Sequence, residues 1–282
     1  MDYTNYIKKI LLPVTKDNTS GSTDIALKAI KLIKKFVKRK DVKLSPELYK
    51  CISQQLISAQ PSMGIMFNLA YRITKMKTLV EKRDFLLYLD KYRDEIEAHK
   101  IDIAKRVFNL IKNKNVIMIY SSSSTVLESL KYAHKKGSRF KVVVPESRPM
   151  REGEKMMIQL SRSSIPVMFV TDVTGISMLA MYDIDVVLIG GDAILNKYLV
   201  SKIGTYPIAM LCKQNHIPVY GLCGTEKVIP KEYENKFVIS DKPAYEITTY
   251  KNKYVKVVNR YFEKVPIKLF TGIIADQQQL KV

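Results

Sequence analysis

From Asn113 onward, short and largely apolar runs recur at residues 116–120, 140–144, 167–171, 185–189 and 219–222, with longer amphipathic stretches between them. A strand with one wet face alternates polar and apolar side chains. A run that is apolar throughout and rich in Val and Ile is a strand buried on both faces. Strands of that kind, separated by helical stretches, make a parallel sheet covered by helices on each side. Between them, one helix is predicted to run up to Lys136 and stop at Gly137, with others over 151–162 and 199–215. The fold class read from this pattern is α/β, a Rossmann-like, doubly wound parallel sheet.

The first 112 residues carry a different period. Over 22–40, Ala26, Ala29, Ile30, Ile33, Phe36 and Val37 share one helical face, and Ser22, Thr23 and Asp24 are N-cap candidates. Ser45-Pro46-Glu47 reads as a cap, an N1 proline and an acidic first turn. Pro61 is expected to open a third, short helix. A long charged helix is expected over about 79–112, with Leu86, Leu89, Ile96, Ile103, Val107 and Leu110 as its apolar stripe. Two domains follow: an N-terminal helical domain, 1–112, and a Rossmann-like C-terminal domain, 113–282.

With 47 Lys+Arg against 27 Asp+Glu, the chain has a formal net charge of +20. Such a surplus attracts phosphates, nucleic acid or acidic proteins. Lys28, Lys31, Lys35 and Lys38 recur at helical spacing, as a solvated face or as a docking face for an acidic protein or RNA. Cys51, Cys212 and Cys223 are an odd number without CxxC spacing, which argues against a zinc ribbon or a disulfide framework. His99, His134 and His216 are scattered, and neither a metal centre nor a cofactor is expected. No apolar leader follows Met1, and charges interrupt every apolar run before membrane-spanning length. The expectation is a cytoplasmic protein with no membrane association.

In a doubly wound sheet, ligands bind beyond the carboxyl ends of the strands. After the first strand come Ser121, Ser122, Ser123, Ser124 and Thr125, hydroxyls at a helix start that suit an anion. After the second come Arg148 and Arg151, able to grip a phosphate bidentately, with Gly153 beyond them. After the fourth come Gly190, Gly191 and Asp192, the carboxylate suited to acid/base work or to sugar hydroxyls. Lys202 with Gly204 and Thr205 adds a cation and helix-start donors. Together these predict a pocket for a phosphorylated polyol.

The same residues carry a family resemblance. Ser121 through Leu127, Glu146-Ser147-Arg148-Pro149 with Glu152-Gly153, Gly191-Asp192-Ala193-Ile194 and Lys202-Ile203-Gly204-Thr205-Tyr206 occur in the order seen in the alpha, beta and delta regulatory subunits of translation initiation factor 2B and their archaeal relatives. Pro61-Ser62-Met63 and the stretches 259–266 and 270–274 resemble further motifs of that family. Its superfamily also holds isomerases of methylthioribose 1-phosphate and ribose 1,5-bisphosphate. The resemblance implies a helical domain joined to a Rossmann-like domain, pairing through the latter, and assembly as a homo-dimer or hexamer.

Departures from the pattern separate the branches. The isomerases place a catalytic cysteine where this chain has Ser121, and a hydroxyl is a far weaker acid than a thiol. Their aspartate is matched by Asp192. Their phosphate-gripping arginine near Pro61 is absent from Ser58-Ala59-Gln60-Pro61. Ser201, Arg260 and Glu263 also replace the usual asparagine, proline and aspartate. The resemblance therefore implies a non-catalytic regulatory subunit that binds the alpha subunit of initiation factor 2 and holds a sugar phosphate or nucleotide. Its pocket residues would be Ser121, Ser122, Ser123, Arg148, Arg151, Gly153, Asp192 and Lys202. The alternative is a sugar-phosphate isomerase with Asp192 as its acid/base.

Overall fold

The computed structural model describes residues 3–76, 81–277 and 279–280. Five helices come first: α1 (Tyr3–Thr15), α2 (Ser22–Val37), α3 (Pro46–Ala59), α4 (Gly64–Thr74) and α5 (Lys82–Ile111). Residues 79 and 80, placed by the sequence in the last of these, lie outside the described residues. At α3, Ser45 is extended and accepts the N–H of Leu48 at 3.2 Å, with Pro46 at the first helical position. The N-cap of α2 is Gly21, without a side-chain bond, and Ser22 and Thr23 are instead buried. The helix expected to open at Pro61 begins three residues later. Residues 61 and 62 form a turn, and the Gly64 N–H donates to the Asp192 carbonyl at 2.9 Å. Helix α1 escaped the sequence reading, although Ile7, Leu11 and Val14 bury one face of it.

The rest of the chain runs β1 (Val116–Tyr120), α6 (Ser124–Lys135), β2 (Lys141–Pro145), α7 (Glu152–Ser161), β3 (Val167–Val170), α8 (Asp172–Met181), β4 (Val186–Gly190), β5 (Ala193–Leu195), β6 (Tyr198–Lys202), α9 (Thr205–Gln214), β7 (Val219–Leu222), β8 (Phe262–Pro266), β9 (Gly272–Ile274) and β10 (Gln279–Leu280). The main sheet has the order β10-β9-β7-β4-β1-β2-β3; all its neighbours pair in parallel except β10 with β9. Side chains of β1 alternate between its faces. Ile117 and Ile119 pack with α6, α7 and the end of α5, while Met118 and Tyr120 pack with α8 and α9. The architecture is the expected doubly wound α/β sheet behind N-terminal helices.

The helix expected over 199–215 is corrected. Residues 198–202 are β6, the centre of a second, antiparallel sheet ordered β5-β6-β8, and the helix occupies only Thr205–Gln214. Leu199 and Val200 are fully buried and pair with Val265 and Lys264 of β8. A partner strand more than sixty residues away in sequence has overridden a locally helical pattern.

Helix α5 belongs to two cores. Phe85, Leu89, Tyr92 and Ile96 close the core of the N-terminal helices, and Ile103, Val107 and Ile111 close one face of the sheet. The division expected at 112 falls at the end of this helix. Among the described residues, no helix is long and apolar enough to cross a membrane.

Midway along α5, His99 Nδ1 lies 2.8 Å from Glu226 Oε2, and Nε2 lies 3.5 Å from Asp276 Oδ2. These ligand atoms are within 4.8 Å of one another. The hydrogen bond to Glu226 raises the imidazole above its ordinary pKa of 6.5. A raised folded-state value means that this contact stabilises fully below about pH 6.5 and fades as pH rises through the raised value. Urea unfolding between pH 5 and 9 is expected to show that decline. His99→Gln is expected to flatten it, and an unchanged pH slope would show that His99 does not carry it.

Candidate ligand cleft

In the strand order, β1 stands between β2 and β4, so the chain leaves it one way and β4 the other. The loops after β1 and β4 therefore part at the topological switch point. Ser121–Ser124 and Gly190–Asp192 face each other there. The serine loop is held from behind. Ser121 has φ 64° and donates its N–H to Ser147 Oγ at 2.9 Å. Ser147, itself at φ 63° and fully buried, donates that hydroxyl to the Pro145 carbonyl at 3.1 Å. Asp172, at the start of α8, accepts the N–H groups of Ser147 and Arg148, both at 2.7 Å. Left-handed non-glycine residues of this kind concentrate where the surroundings fix a functional loop.

Two adjoining hollows, of about 40 and 20 Å³, share Gly21, Ser121, Ser122, Asp192 and Lys202 in their walls. Volumes of that order hold individual waters. The outer wall is the irregular segment 17–21, tethered by buried Gln60, whose Nε2 donates to the carbonyls of Val14 at 2.8 Å and Asp17 at 3.2 Å. Lys242 and Tyr261 line the opposite side.

The floor is electrostatically tense. Burial pushes the Asp192 carboxyl above its ordinary range, against the pull of Lys227 and then of Lys202. Lys227 is itself buried and donates Nζ to the Gly191 carbonyl at 2.9 Å. Lys202 Nζ bonds Glu152 Oε1 at 2.6 Å, yet burial still holds Glu152 above its ordinary range. At the cleft, Ser22 Oγ has Asp192 beside it and Tyr261 OH has Glu246, whereas the buried Glu152 Oε2 has no hydrogen-bond partner among the described residues. A buried polar atom without a partner costs about 1–3 kcal/mol, so the free Glu152 oxygen in the cleft wall is chemically informative.

The sequence-predicted residues divide. Ser121, Ser122, Asp192 and Lys202 line the cleft together, and Ser123 lines its inner hollow while capping α6 through Val126 N. Arg148, Arg151 and Gly153 do not line it. Arg148 is exposed, and Arg151 points to Glu146 at 3.7 Å and Glu154 at 3.6 Å. Gly153 lies against β2, where a Cβ would meet the Pro145 carbonyl oxygen at 1.9 Å, so its glycine is required by helix–strand packing. The helix-start donors expected from Gly204-Thr205 are already engaged: Glu263 Oε1 accepts from Gly204 N and Tyr206 N, both at 2.8 Å. Sequence reasoning missed Glu152, Lys227, Lys242 and Tyr261 as cleft residues.

The sequence profile of the Initiation factor 2 subunit family matches residues 18–281. The chain belongs to that family. It is 26% identical over 275 residues to the translation initiation factor eIF-2B subunit 2-like protein of Pyrococcus horikoshii, covering 96% of this chain and 94% of that one. It is also 26% identical over 263 residues to the ribose 1,5-bisphosphate isomerase of Archaeoglobus fulgidus, covering 91% and 83%. The crystal structure of the Pyrococcus horikoshii OT3 translation initiation factor eIF-2B superposes with a TM-score of 0.83 over 97% of this chain and 96% of that chain, at 24% identity. Relatives of this chain therefore include both an initiation-factor protein and a sugar-phosphate isomerase.

Proposed function

We propose that this chain is a non-catalytic regulatory subunit of the initiation factor 2B type, cytoplasmic, binding the alpha subunit of initiation factor 2. Its cleft takes a sugar phosphate or nucleotide as a regulatory ligand. The observation that carries the reading is the hydroxyl of Ser121 at the carboxyl end of β1, where the isomerase branch needs a thiol. Anion binding is supported by the start of α6 and by Lys202 and Lys242 in the walls; polyol binding is supported by Asp192 and the unpaired Glu152 Oε2. Arg148 and Arg151 contribute only if their loop turns inward. The water-sized hollow admits such a ligand when segment 17–21 swings out.

Homo-oligomeric pairing is supported by an apolar face on edge strand β3 and α8, where Val173 is 74% and Met181 70% exposed.

A pull-down with purified initiation factor 2 alpha at moderate salt is expected to retain it above a charge-matched basic control, and equal retention would end the reading. The isomerase alternative rests on Asp192, whose raised pKa suits an acid/base. Ketose formation from ribose 1,5-bisphosphate that disappears in Asp192→Asn would establish that alternative instead; no turnover is expected.

A further inference from the structure

Residues 243–258 leave the cleft wall and return to it as an excursion pinned at its base. Asp241 and Arg260 form an antiparallel bridge, and Arg260 Nε donates to Asp241 Oδ1 at 2.8 Å. Lys242 N donates to the Asn259 carbonyl at 2.8 Å. Buried Asn259 donates Nδ2 to the Pro243 carbonyl at 2.8 Å and to Glu246 Oε2 at 2.7 Å. One short 3-10 turn, Ala244–Glu246, follows the base. From 247 to 258 there is neither helix nor strand.

The tip presents what a soluble surface ordinarily hides. Tyr254 is 84% exposed, Tyr245 69% and Tyr250 63%, with Val255 and Val258 also open to solvent. Lys251, Lys253 and Lys256 alternate with them and are all exposed. Lys253 Nζ lies 4.9 Å from the centre of the Tyr254 ring. No carboxylate occurs between Glu246 and Glu263. The backbone is partly preset, since Asn252 accepts from Tyr254 N through Oδ1 and from Val255 N through its carbonyl, each at 3.0 Å.

We propose that this tyrosine–lysine excursion binds single-stranded RNA, independently of the cleft's proposed ligand. Flat aromatic faces stack on unpaired bases regardless of sequence, and lysines between them follow the phosphates. Phenol hydroxyls add partners for a ribose 2′-hydroxyl, which DNA lacks. A second copy of the chain fits poorly, because the strip would meet its own three lysines. An acidic protein fits less well, because protein interfaces exclude lysine from their cores and seat tyrosines in pockets.

The test uses the full chain and a fluorescein-labelled oligouridylate of about 12 nucleotides, followed by anisotropy across a salt series. Tyr250→Ala with Tyr254→Ala is expected to weaken binding by about tenfold or more without changing the salt slope. Lys251→Gln, Lys253→Gln and Lys256→Gln together are expected to reduce that slope by about 2. Lys31→Gln and Lys35→Gln on α2, with Lys38→Gln at its C-cap, are expected to leave the tyrosine dependence intact. Unchanged affinity in the tyrosine variant overturns the proposal. So does a duplex bound as tightly as the single strand, or oligothymidylate bound more tightly than oligouridylate. Polyglutamate displacing the RNA equally well from the parent and the tyrosine variant points to charge alone, and overturns it too.

Discussion

Lys202→Met is expected to lower folding stability by about 3–5 kcal/mol at pH 7, because it strands a buried carboxylate. Lys202 is nearly inaccessible, and its ammonium is bonded to Glu152 Oε1 at 2.6 Å. Once the lysine is gone, Glu152 must either ionise with no cation beside it or take up a proton, and both disfavour the folded state at pH 7. The folded-state pKa of Glu152 is already raised, so its ionisation opposes folding as pH rises through that value, and protonation relieves the strain below it. The deficit of Lys202→Met is therefore expected to shrink at pH 5. Combining it with Glu152→Gln is expected to restore most of the loss. Urea unfolding of the two single variants and the double variant at both pH values measures this. A loss below about 1 kcal/mol that is identical at both would show the pair to be solvated.

Gly64→Ala is expected to cost about 3 kcal/mol, a large effect for one methyl group. A Cβ there would sit 2.2 Å from the backbone carbonyl oxygen of Lys227 and 3.0 Å from Ala193 Cβ, and a carbonyl cannot move aside as a flexible side chain does. The same residue donates its N–H to the Asp192 carbonyl. The methyl group therefore pushes α4 away from the strand end that carries the cleft carboxylate. Thermal unfolding reads the stability loss. Wild-type stability in this variant would show that α4 and the Lys227 loop slide freely.

The parallel sheet was legible because its central strands are buried on both faces, leaving runs such as 142–144 with no polar residue at all; edge strand β3 departs from that reading, with Met168 and Phe169 exposed. Strand β6 was not. Its Leu199 and Val200 fit a helical face as well as a strand, and its partner β8 lies far along the chain. The local clue was Gly204, whose φ of 101° separates strand from helix. Helix α8 was missed because Asp172–Met181 is apolar on most sides and carries a central glycine, so no period stands out. At the cleft, chemistry that lies within one loop was readable: the serine run and Asp192 were found from the residues that follow each strand. Chemistry that depends on register was not. Glu152, at the start of α7, meets Lys202, at the end of β6, across fifty residues, and nothing local to either announces the pairing. The arginines were chosen for what guanidinium groups bind, but Arg148 is exposed and Arg151 lies beside Glu146 and Glu154.

Because α5 serves as wall to both cores, a cut at either end of its shared half takes packing from one of them. A fragment starting at 113 would forfeit Ile103, Val107 and Ile111 and leave one side of its sheet wet, while a fragment ending before 103 would take that wall from its neighbour. Thirty residues of uninterrupted helix, about 45 Å long, behave as a stiff beam, so a push on the N-terminal helices arrives at the sheet as a tilt instead of being absorbed by a linker.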